Sequence, residues 1–229
     1  MPDTIPPPGG ELLDDLAAPS ELVRRSLLDI ARSNRWLGGA AAAWHGVDRL
    51  LAGRRPASLT LLDIGTGVGD IPAAVGRRLE RRGTRVTSIG LERHPVAARL
   101  AREGGLATIL GDGLALPLPD RAVDLVLASQ VAHHLPPEGV VALAREASRV
   151  ARLGVVVADL RPSRFGRWGF SLVSRVLSFD RATRDDGQLS LRRGFRPRDL
   201  ATLLDRAGVS ATVTARSRAR IVAYWSTDG

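Results

Sequence analysis

The sequence predicts an α/β fold, in which a doubly wound, mostly parallel sheet of seven strands carries helices on both faces. Two observations predict it. From residue 58 onward, apolar runs of four to six residues alternate with helix-like segments, as in a parallel sheet that is covered on both sides. The chain then ends in two strand-like runs joined by a short turn, which makes the C-terminal strand antiparallel.

The segment before the first strand divides into two parts. Residues 1–19 are rich in Pro and Gly and have little periodicity, which predicts a flexible N-terminal arm. Residues 20–56 predict two helices, with Ser20 as a cap of the first and a break at Gly38 and Gly39. We interpret these helices as a lid or cap on the domain that follows.

The domain at residues 57–229 consists of the alternating elements and one insertion. The predicted strands lie at 58–65, 85–92, 107–112, 123–130, 155–160, 210–217 and 219–226. The predicted helices lie at 70–83, 94–105, 137–154 and 196–208. Residues 161–195 follow the fifth strand and are interpreted as a cap insertion.

Composition excludes several kinds of chemistry. The chain has no cysteine, so disulfides, cysteine zinc sites and cysteine nucleophiles are excluded. The net charge of +9 is compatible with nucleic-acid binding. However, the basic residues are all arginine and are spread along the chain, which favours a compositional bias, so nucleic acid is an unlikely partner.

Two further features concern the location of the protein. The chain does not open on a basic segment followed by an apolar one, and no apolar stretch approaches the roughly 20 residues of a membrane span. The sequence therefore predicts a cytoplasmic protein without a membrane span.

A glycine cluster follows the first predicted strand, where ligands of doubly wound sheets bind. Asp63 ends the strand, and Gly65, Gly67 and Gly69 let the backbone approach a ligand closely. Asp70 stands where a dinucleotide fingerprint needs its third glycine, and the absence of lysine excludes a Walker loop. An acid at a helix start also repels phosphate, so the loop favours a ligand that carries positive charge.

This loop resembles motif I of the Rossmann-like, class I S-adenosylmethionine-dependent methyltransferases. The resemblance covers about residues 58–160, and residues 195–227 by pattern only. It implies a methyltransferase whose cofactor is S-adenosylmethionine and whose product is S-adenosylhomocysteine. By resemblance, Glu92 at the end of the second strand would bind the ribose hydroxyls. Asp112 at the end of the third strand would bind the adenine amino group. The cofactor-binding residues that the resemblance implies are Asp63, Gly65, Thr66, Gly67, Gly69, Asp70, Glu92, Arg93, Asp112, Gly113, Leu114, Ser129 and Gln130.

Candidate catalytic residues follow the fourth and fifth strands. His133 and His134 could take a proton near neutral pH, or could instead cap a helix or pack under the cofactor. Asp159 ends the fifth strand and could orient an acceptor or cap the next turn. Clustered carboxylates suited to a catalytic metal are not apparent near the fourth strand, so no metal site is predicted.

Aromatic residues indicate where the acceptor binds. No Phe or Trp lies between residues 51 and 160, and both types concentrate in the N-terminal helices and in the insertion. We therefore expect Phe165, Trp168, Phe170 and Trp36 to line an acceptor pocket, unless they form a satellite core.

Together these features predict a methyltransferase of secondary metabolism that acts on a small, partly apolar molecule as a monomer or homodimer. O-methylation is expected and C-methylation is possible. The residues after the fourth strand lack the Asn/Asp-Pro-Pro-aromatic motif of enzymes that methylate base amino groups in nucleic acid. An RNA methyltransferase and a protein that binds S-adenosylmethionine without transferring methyl groups are the alternatives.

Overall fold

The protein, in a computed structural model that describes residues 11–228, has a seven-stranded sheet between two layers of helices. The strands are β1 Ser58–Ile64, β2 Arg85–Glu92, β3 Ala107–Leu110, β4 Val123–Ser129, β5 Ala151–Leu160, β6 Thr212–Arg216 and β7 Arg220–Ser226. The helices are α1 Ser20–Trp36, α2 Gly39–Leu51, α3 Asp70–Glu80, α4 Pro95–Glu103, α5 Pro137–Val150, α6 Arg164–Val176, α7 Arg181–Arg193 and α8 Pro197–Arg206. Short 3-10 turns lie at Leu12–Asp14 and Ala132–His134.

The strand order is β3-β2-β1-β4-β5-β7-β6. Strands β1 to β5 are parallel, and β7 runs antiparallel between β5 and β6. This confirms the predicted fold class. The order reverses between β1 and β4, and the carboxyl ends of these two strands therefore flank a crevice in which a ligand can bind.

Element boundaries differ from the prediction mainly at α5 and β5. The predicted helix ran to residue 154, whereas α5 ends at Val150 and β5 begins at Ala151. Residues 151–154 extend the strand because Ala151 pairs with Val123 and Gly154 pairs with both Leu125 and Ser226. Strand pairing on two sides thus overrides the helix-like local sequence.

The second N-terminal helix is part of the core. Gly46 of α2 packs against Val156 of β5 and Val222 of β7, and a Cβ there would clash with both valines. Val47 and Leu51 of the same helix are buried with these strands. The predicted domain boundaries at residues 19 and 56 stay predictions. The close packing makes α2 part of the helical layer that covers the sheet, and α2 also connects to α1.

None of the described helices is both long enough and apolar enough to cross a membrane. The prediction of a flexible arm falls partly outside the described residues, since residues 1–10 are not among them.

Candidate active site

A cavity of about 510 Å³ opens at the carboxyl end of the sheet. Its wall is formed by the β1–α3 loop, the ends of β2 and β4, helix α1, the turn at Ala132–His134, and helices α6 and α7. The N-terminal segment also contributes, through Glu11 and Leu13. The cavity therefore lies at the point where the strand order reverses.

The glycine loop between β1 and α3 needs its glycines for conformational reasons. Gly65, Gly67 and Gly69 have φ angles of +67°, +57° and +79°, which L-residues with a side chain rarely adopt. Gly65 also lies so close to Val131 that a Cβ would clash with that side chain. The loop consequently brings its backbone to the cavity wall beside Asp63.

Asp63 is a buried carboxyl group at this loop. Within the described part of the chain, its Oδ1 has no hydrogen-bond partner. Burial raises the pKa of Asp63 to about 8, and the nearby charges of Asp70 and Glu92 add to the rise. The group is thus poised to ionise when a cation enters the cavity.

Glu92 holds the glycine loop to the end of β2. Its Oε2 accepts a hydrogen bond from the Gly67 amide at 3.0 Å, and its Oε1 accepts one from the His94 amide at 3.0 Å. The side chain also lines the cavity. Because each carboxylate oxygen has a second lone pair, Glu92 can accept hydrogen bonds from hydroxyl groups of a ligand as well.

A hydrogen-bonded chain of three side chains connects α1 to both sides of the crevice. Asn34 donates to Asp70 Oδ2 at 3.1 Å, and Gln130 donates to Asn34 Oδ1 at 2.6 Å. Burial raises the pKa of Asp70, although the hydrogen bond from Asn34 acts to lower it. Sequence reasoning missed Asn34, although polar residues on the buried face of an amphipathic helix were a signal.

The structure brings together most of the expected cofactor residues, but not all of them. Those that line the cavity are Asp63, Gly65, Thr66, Gly67, Asp70, Glu92, Ser129 and Gln130. Those that lie outside the lining are Gly69, Arg93, Asp112, Gly113 and Leu114. Gly69 instead precedes α3 and packs on Leu106, and Arg93 donates to the Asp14 carbonyl at 3.3 Å.

The placement of Asp112 corrects the expectation that it ends the third strand. Strand β3 ends at Leu110, and Asp112 is exposed in the following loop. Its Oδ1 accepts a hydrogen bond from the Leu114 amide at 2.9 Å, while Gly113 packs on Ile64. The expected contact between Asp112 and an adenine ring stays a prediction.

His133 and Asp159 form a buried pair at the ends of β4 and β5. His133 Nδ1 lies 2.7 Å from Asp159 Oδ1, and the two side chains are 2% and 0% exposed. Asp159 also accepts hydrogen bonds from the amides of His133 and Leu160. Burial alone would raise the pKa of Asp159, but the charge and hydrogen bond of His133 outweigh burial and keep that pKa below its usual value.

The other ring nitrogen of His133 is available for chemistry. His133 lines the cavity, and its Nε2 has no hydrogen-bond partner among residues 11–228. A neutral imidazole that donates its Nδ1 hydrogen to Asp159 carries a lone pair on Nε2. The arrangement can therefore accept a proton from a ligand.

His134 has a different environment, formed by the N-terminal segment. Its Nδ1 lies 3.1 Å from Asp14 Oδ1 and its Nε2 lies 3.6 Å from Glu11 Oε2. Burial alone would lower the pKa of His134, but the hydrogen bond to Asp14 and the charges of Glu11, Asp14 and Asp159 raise it. Both ring nitrogens of His134 therefore face carboxylates, whereas Nε2 of His133 has no such neighbour among its hydrogen-bond partners in the described residues.

The same segment is anchored to α7. Glu11 forms a buried ion pair with Arg193 at 3.0 Å and accepts a hydrogen bond from Ser190 at 2.9 Å. The amide of Leu12 donates to Asp186 at 3.0 Å. These contacts place residues 11–14 on the cavity wall, which differs from the flexible arm that the Pro- and Gly-rich composition predicts.

Glu11, His133 and His134 offer ligand atoms that lie within 4.8 Å of one another. Arg193 and Ser190 already bind the two carboxylate oxygens of Glu11, and the Arg193 guanidinium disfavours a second cation there. The expectation that the protein holds no metal stays a prediction.

The expected acceptor residues divide between the cavity and the surface. Phe165 and Phe170 line the cavity, whereas Trp168 and Trp36 do not and are 69% and 60% exposed. The physical reason is the helical period of α6, which turns Phe170 inward onto Phe179 and turns Trp168 outward. Phe170 therefore belongs to a small second core with Phe179, which is the alternative to an acceptor pocket that the sequence left open. Wall residues that the sequence did not single out include Leu37, Arg161, Phe179, Leu191 and Arg220.

Part of the chain is similar to methyltransferase domains of known proteins. Residues 62–158 match a family model described as a methyltransferase domain. The matched segment covers less than half of the chain and includes the glycine loop. An uncharacterized methyltransferase of Mycobacterium sp. (strain JLS) is 33% identical over 99 residues, or 43% of this chain. The aligned segment spans 37% of the length of that relative.

Solved structures of other methyltransferases share the fold. A S-adenosylmethionine-dependent methyltransferase from Aquifex aeolicus is 16% identical, with 81% of this chain and 91% of that chain covered and a TM-score of 0.57. Magnesium protoporphyrin IX methyltransferase from Synechocystis PCC 6803, solved with bound S-adenosylhomocysteine, is 14% identical, with 85% of each chain covered and a TM-score of 0.56.

The site fits S-adenosylmethionine, the cofactor that the resemblance implies. The buried polar atoms on the cavity wall that have no hydrogen-bond partner in the described residues include Asp63 Oδ1, Thr66 Oγ1 and Ser129 Oγ. Space beside Gly67 is open, since only Leu27 comes within 4 Å of a Cβ built there. A carboxylate, two hydroxyls and an open glycine backbone match a ligand with an ammonium and several polar groups.

Proposed function

We propose that this protein methylates a hydroxyl group of a small, partly apolar acceptor and that His133 is the base. The observation that carries the proposal is the buried pair of His133 and Asp159, whose free nitrogen, Nε2, lies on the cavity wall. A general base on the cavity wall is what deprotonation of a phenol, enol or alcohol requires.

The residues of the glycine loop would hold the cofactor. Asp63 would bind its ammonium, Glu92 its ribose hydroxyls, and the Asn34–Asp70 pair would fix the start of α3 beside it. When bound, S-adenosylmethionine supplies a methyl group activated by its sulfonium. The chain's own contribution is position, because in-line transfer depends on the alignment of the reacting atoms.

His133 would act on the acceptor. Its Nε2 accepts the hydroxyl proton, and Asp159 stabilises the resulting imidazolium through the Nδ1 hydrogen bond. The low pKa of Asp159 keeps this carboxylate ionised throughout the pH range of the reaction. Asp159 is thus a positioning residue and His133 is the group that touches the acceptor.

The remaining wall supports a small organic acceptor. Phe165, Phe170, Phe179 and Leu37 supply apolar surface to a cavity that also contains the histidine. A concave and partly apolar wall suits a small molecule better than an RNA strand, which needs stacking surfaces along an open basic groove. O-methylation, a role in secondary metabolism, cytoplasmic location and a monomeric or dimeric state stay predictions.

The test is a screen of phenols, enols and alcohols in which formation of S-adenosylhomocysteine is measured, followed by variants at the pair. We expect His133→Gln to lower kcat by about 10²- to 10⁴-fold while the affinity for S-adenosylhomocysteine changes by less than about threefold. Asp159→Asn should lower kcat and shift the acidic limb of the pH–rate profile. His134→Gln is the matched control and should retain most of the activity.

Two results would contradict the proposal. One is a His133→Gln variant that keeps the native kcat and pH profile with an accepted substrate. The other is binding of the cofactor without any S-adenosylhomocysteine formed above the control that lacks acceptor, which would favour the alternative of a protein that binds the cofactor without transfer.

A further inference from the structure

Helix α6 exposes four large apolar side chains on one face. Phe165, Trp168, Leu172 and Val176 are 87%, 69%, 49% and 73% exposed. Their spacing of three, four and four residues places them in one row along the helix. We call this row the α6 stripe. A contiguous apolar surface of this kind on a folded protein marks an interaction site.

The stripe is not the result of a loosely attached helix, because the opposite face of α6 is packed. Phe170 and Ser174 are buried, and Phe170 stacks edge-on against Phe179 with 6.4 Å between ring centroids. At the start of the helix, Gly166 packs so closely on Ala219 of the β6–β7 turn that a Cβ would clash. The inner face fixes which side chains point outward.

The charges of α6 are all positive. The helix contains Arg164, Arg167 and Arg175 and no acidic residue. At 100° per residue, Arg164 and Arg175 fall beside Trp168 along one edge of the stripe, and both are exposed. An aromatic and aliphatic face with arginines at its edge is the composition of helices that lie in a lipid interface.

We propose that the α6 stripe docks on an anionic lipid surface, with the helix axis parallel to the membrane plane. The arginine edge complements phosphate groups, because an anionic leaflet attracts basic residues near its surface. A second copy of the chain fits less well, because a two-fold contact through the stripe brings the same arginines toward one another.

Docking also bears on access to the cavity. Phe165, Gly166 and Gly169 belong to the cavity wall as well as to α6. The docked helix therefore places this part of the wall at the lipid surface, where apolar molecules concentrate. Docking does not depend on methyl transfer and is measured separately from it.

The test uses the full chain and sedimentation with vesicles of phosphatidylcholine alone or with 30% phosphatidylglycerol. We expect binding to the anionic vesicles that is at least about tenfold tighter than to the neutral ones and that weakens with salt. The variant Trp168→Ser/Leu172→Ser removes two members of the stripe that do not line the cavity and should lower binding at least about tenfold. Trp36→Ser is the control, since Trp36 is 60% exposed but lies on α1.

Folding of each variant is checked by its affinity for S-adenosylhomocysteine and by its Tm, and Arg164→Gln/Arg175→Gln should reduce the salt dependence. The proposal is overturned if the native protein binds neither kind of vesicle at low salt, or if the Trp168→Ser/Leu172→Ser variant binds as well as the native protein. Self-association that the same variant abolishes, without vesicle binding, assigns the stripe to a second copy instead.

Discussion

The raised pKa of Asp63 predicts that cofactor binding releases a proton. Its carboxyl group has a pKa of about 8 and is therefore about 90% protonated at pH 7. The ammonium of S-adenosylmethionine or S-adenosylhomocysteine favours the ionised carboxylate, so the pKa falls when either ligand binds. A fall of three units or more corresponds to roughly 4 kcal/mol or more of coupling between ligand and carboxylate.

The sign and size of the effect follow from linkage. Since the free protein binds the proton that the complex has lost, affinity rises with pH below pH 8. About 0.9 proton is released per ligand at pH 7, so affinity rises nearly tenfold per pH unit between about pH 6 and 7 and levels off above about pH 8.

Titration calorimetry of S-adenosylhomocysteine in buffers of different ionisation enthalpy measures this proton count directly. The slope of the observed binding enthalpy against the ionisation enthalpy of the buffer gives the number of protons released. We expect this slope to vanish in the Asp63→Asn variant and with 5′-methylthioadenosine, which lacks the ammonium. A native slope near zero at pH 6.5, or an unchanged slope in Asp63→Asn, would refute the reasoning.

Three further predictions concern the same site. Gly65→Ala should lower the free energy of unfolding by about 1–3 kcal/mol more than Gly83→Ala does, as measured by urea denaturation. Both glycines have a positive φ, but only at Gly65 would the added Cβ meet a side chain. Glu92→Ala should weaken S-adenosylhomocysteine binding at least about tenfold in calorimetry, since it removes a charged hydrogen-bond acceptor. The Tm difference between the native protein and His134→Gln should be largest between the ordinary pKa values of 3.8 for Asp14 and 6.5 for His134. It should shrink below that window as Asp14 protonates and above it as His134 loses its proton; a pH-independent difference would contradict the pairing.

Much of the site was predictable because its residues follow apolar strands. Asp63, Glu92 and Asp159 were expected at the ends of strands, and all three reach the cavity or the groups that line it. Asp112 was not placed correctly, because β3 is short and its end depends on pairing with β2 instead of on its own composition. Local sequence does not determine where an edge strand stops.

Contacts between distant segments could not be predicted from the sequence. The pairing of His133 with Asp159 depends on β4 and β5 being neighbours in register, which only the sheet determines. The role of Asn34 depends on how α1 crosses the carboxyl end of the sheet. The aromatic residues of α6 were expected to cover an acceptor, yet composition alone does not say which face of a helix packs inward.

The segment that matches the methyltransferase family model supplies only part of the cavity wall. Residues 62–158 carry the family resemblance, but α1, α6, α7 and the segment beginning at Glu11 supply much of the wall opposite the glycine loop. The glycine loop and much of the opposite wall of the cavity are thus encoded in separate stretches of the chain. Under the proposed function, substitutions in the opposite wall can change the acceptor while residues 62–158 stay recognisable, so relatives that align only over those residues need not share a substrate.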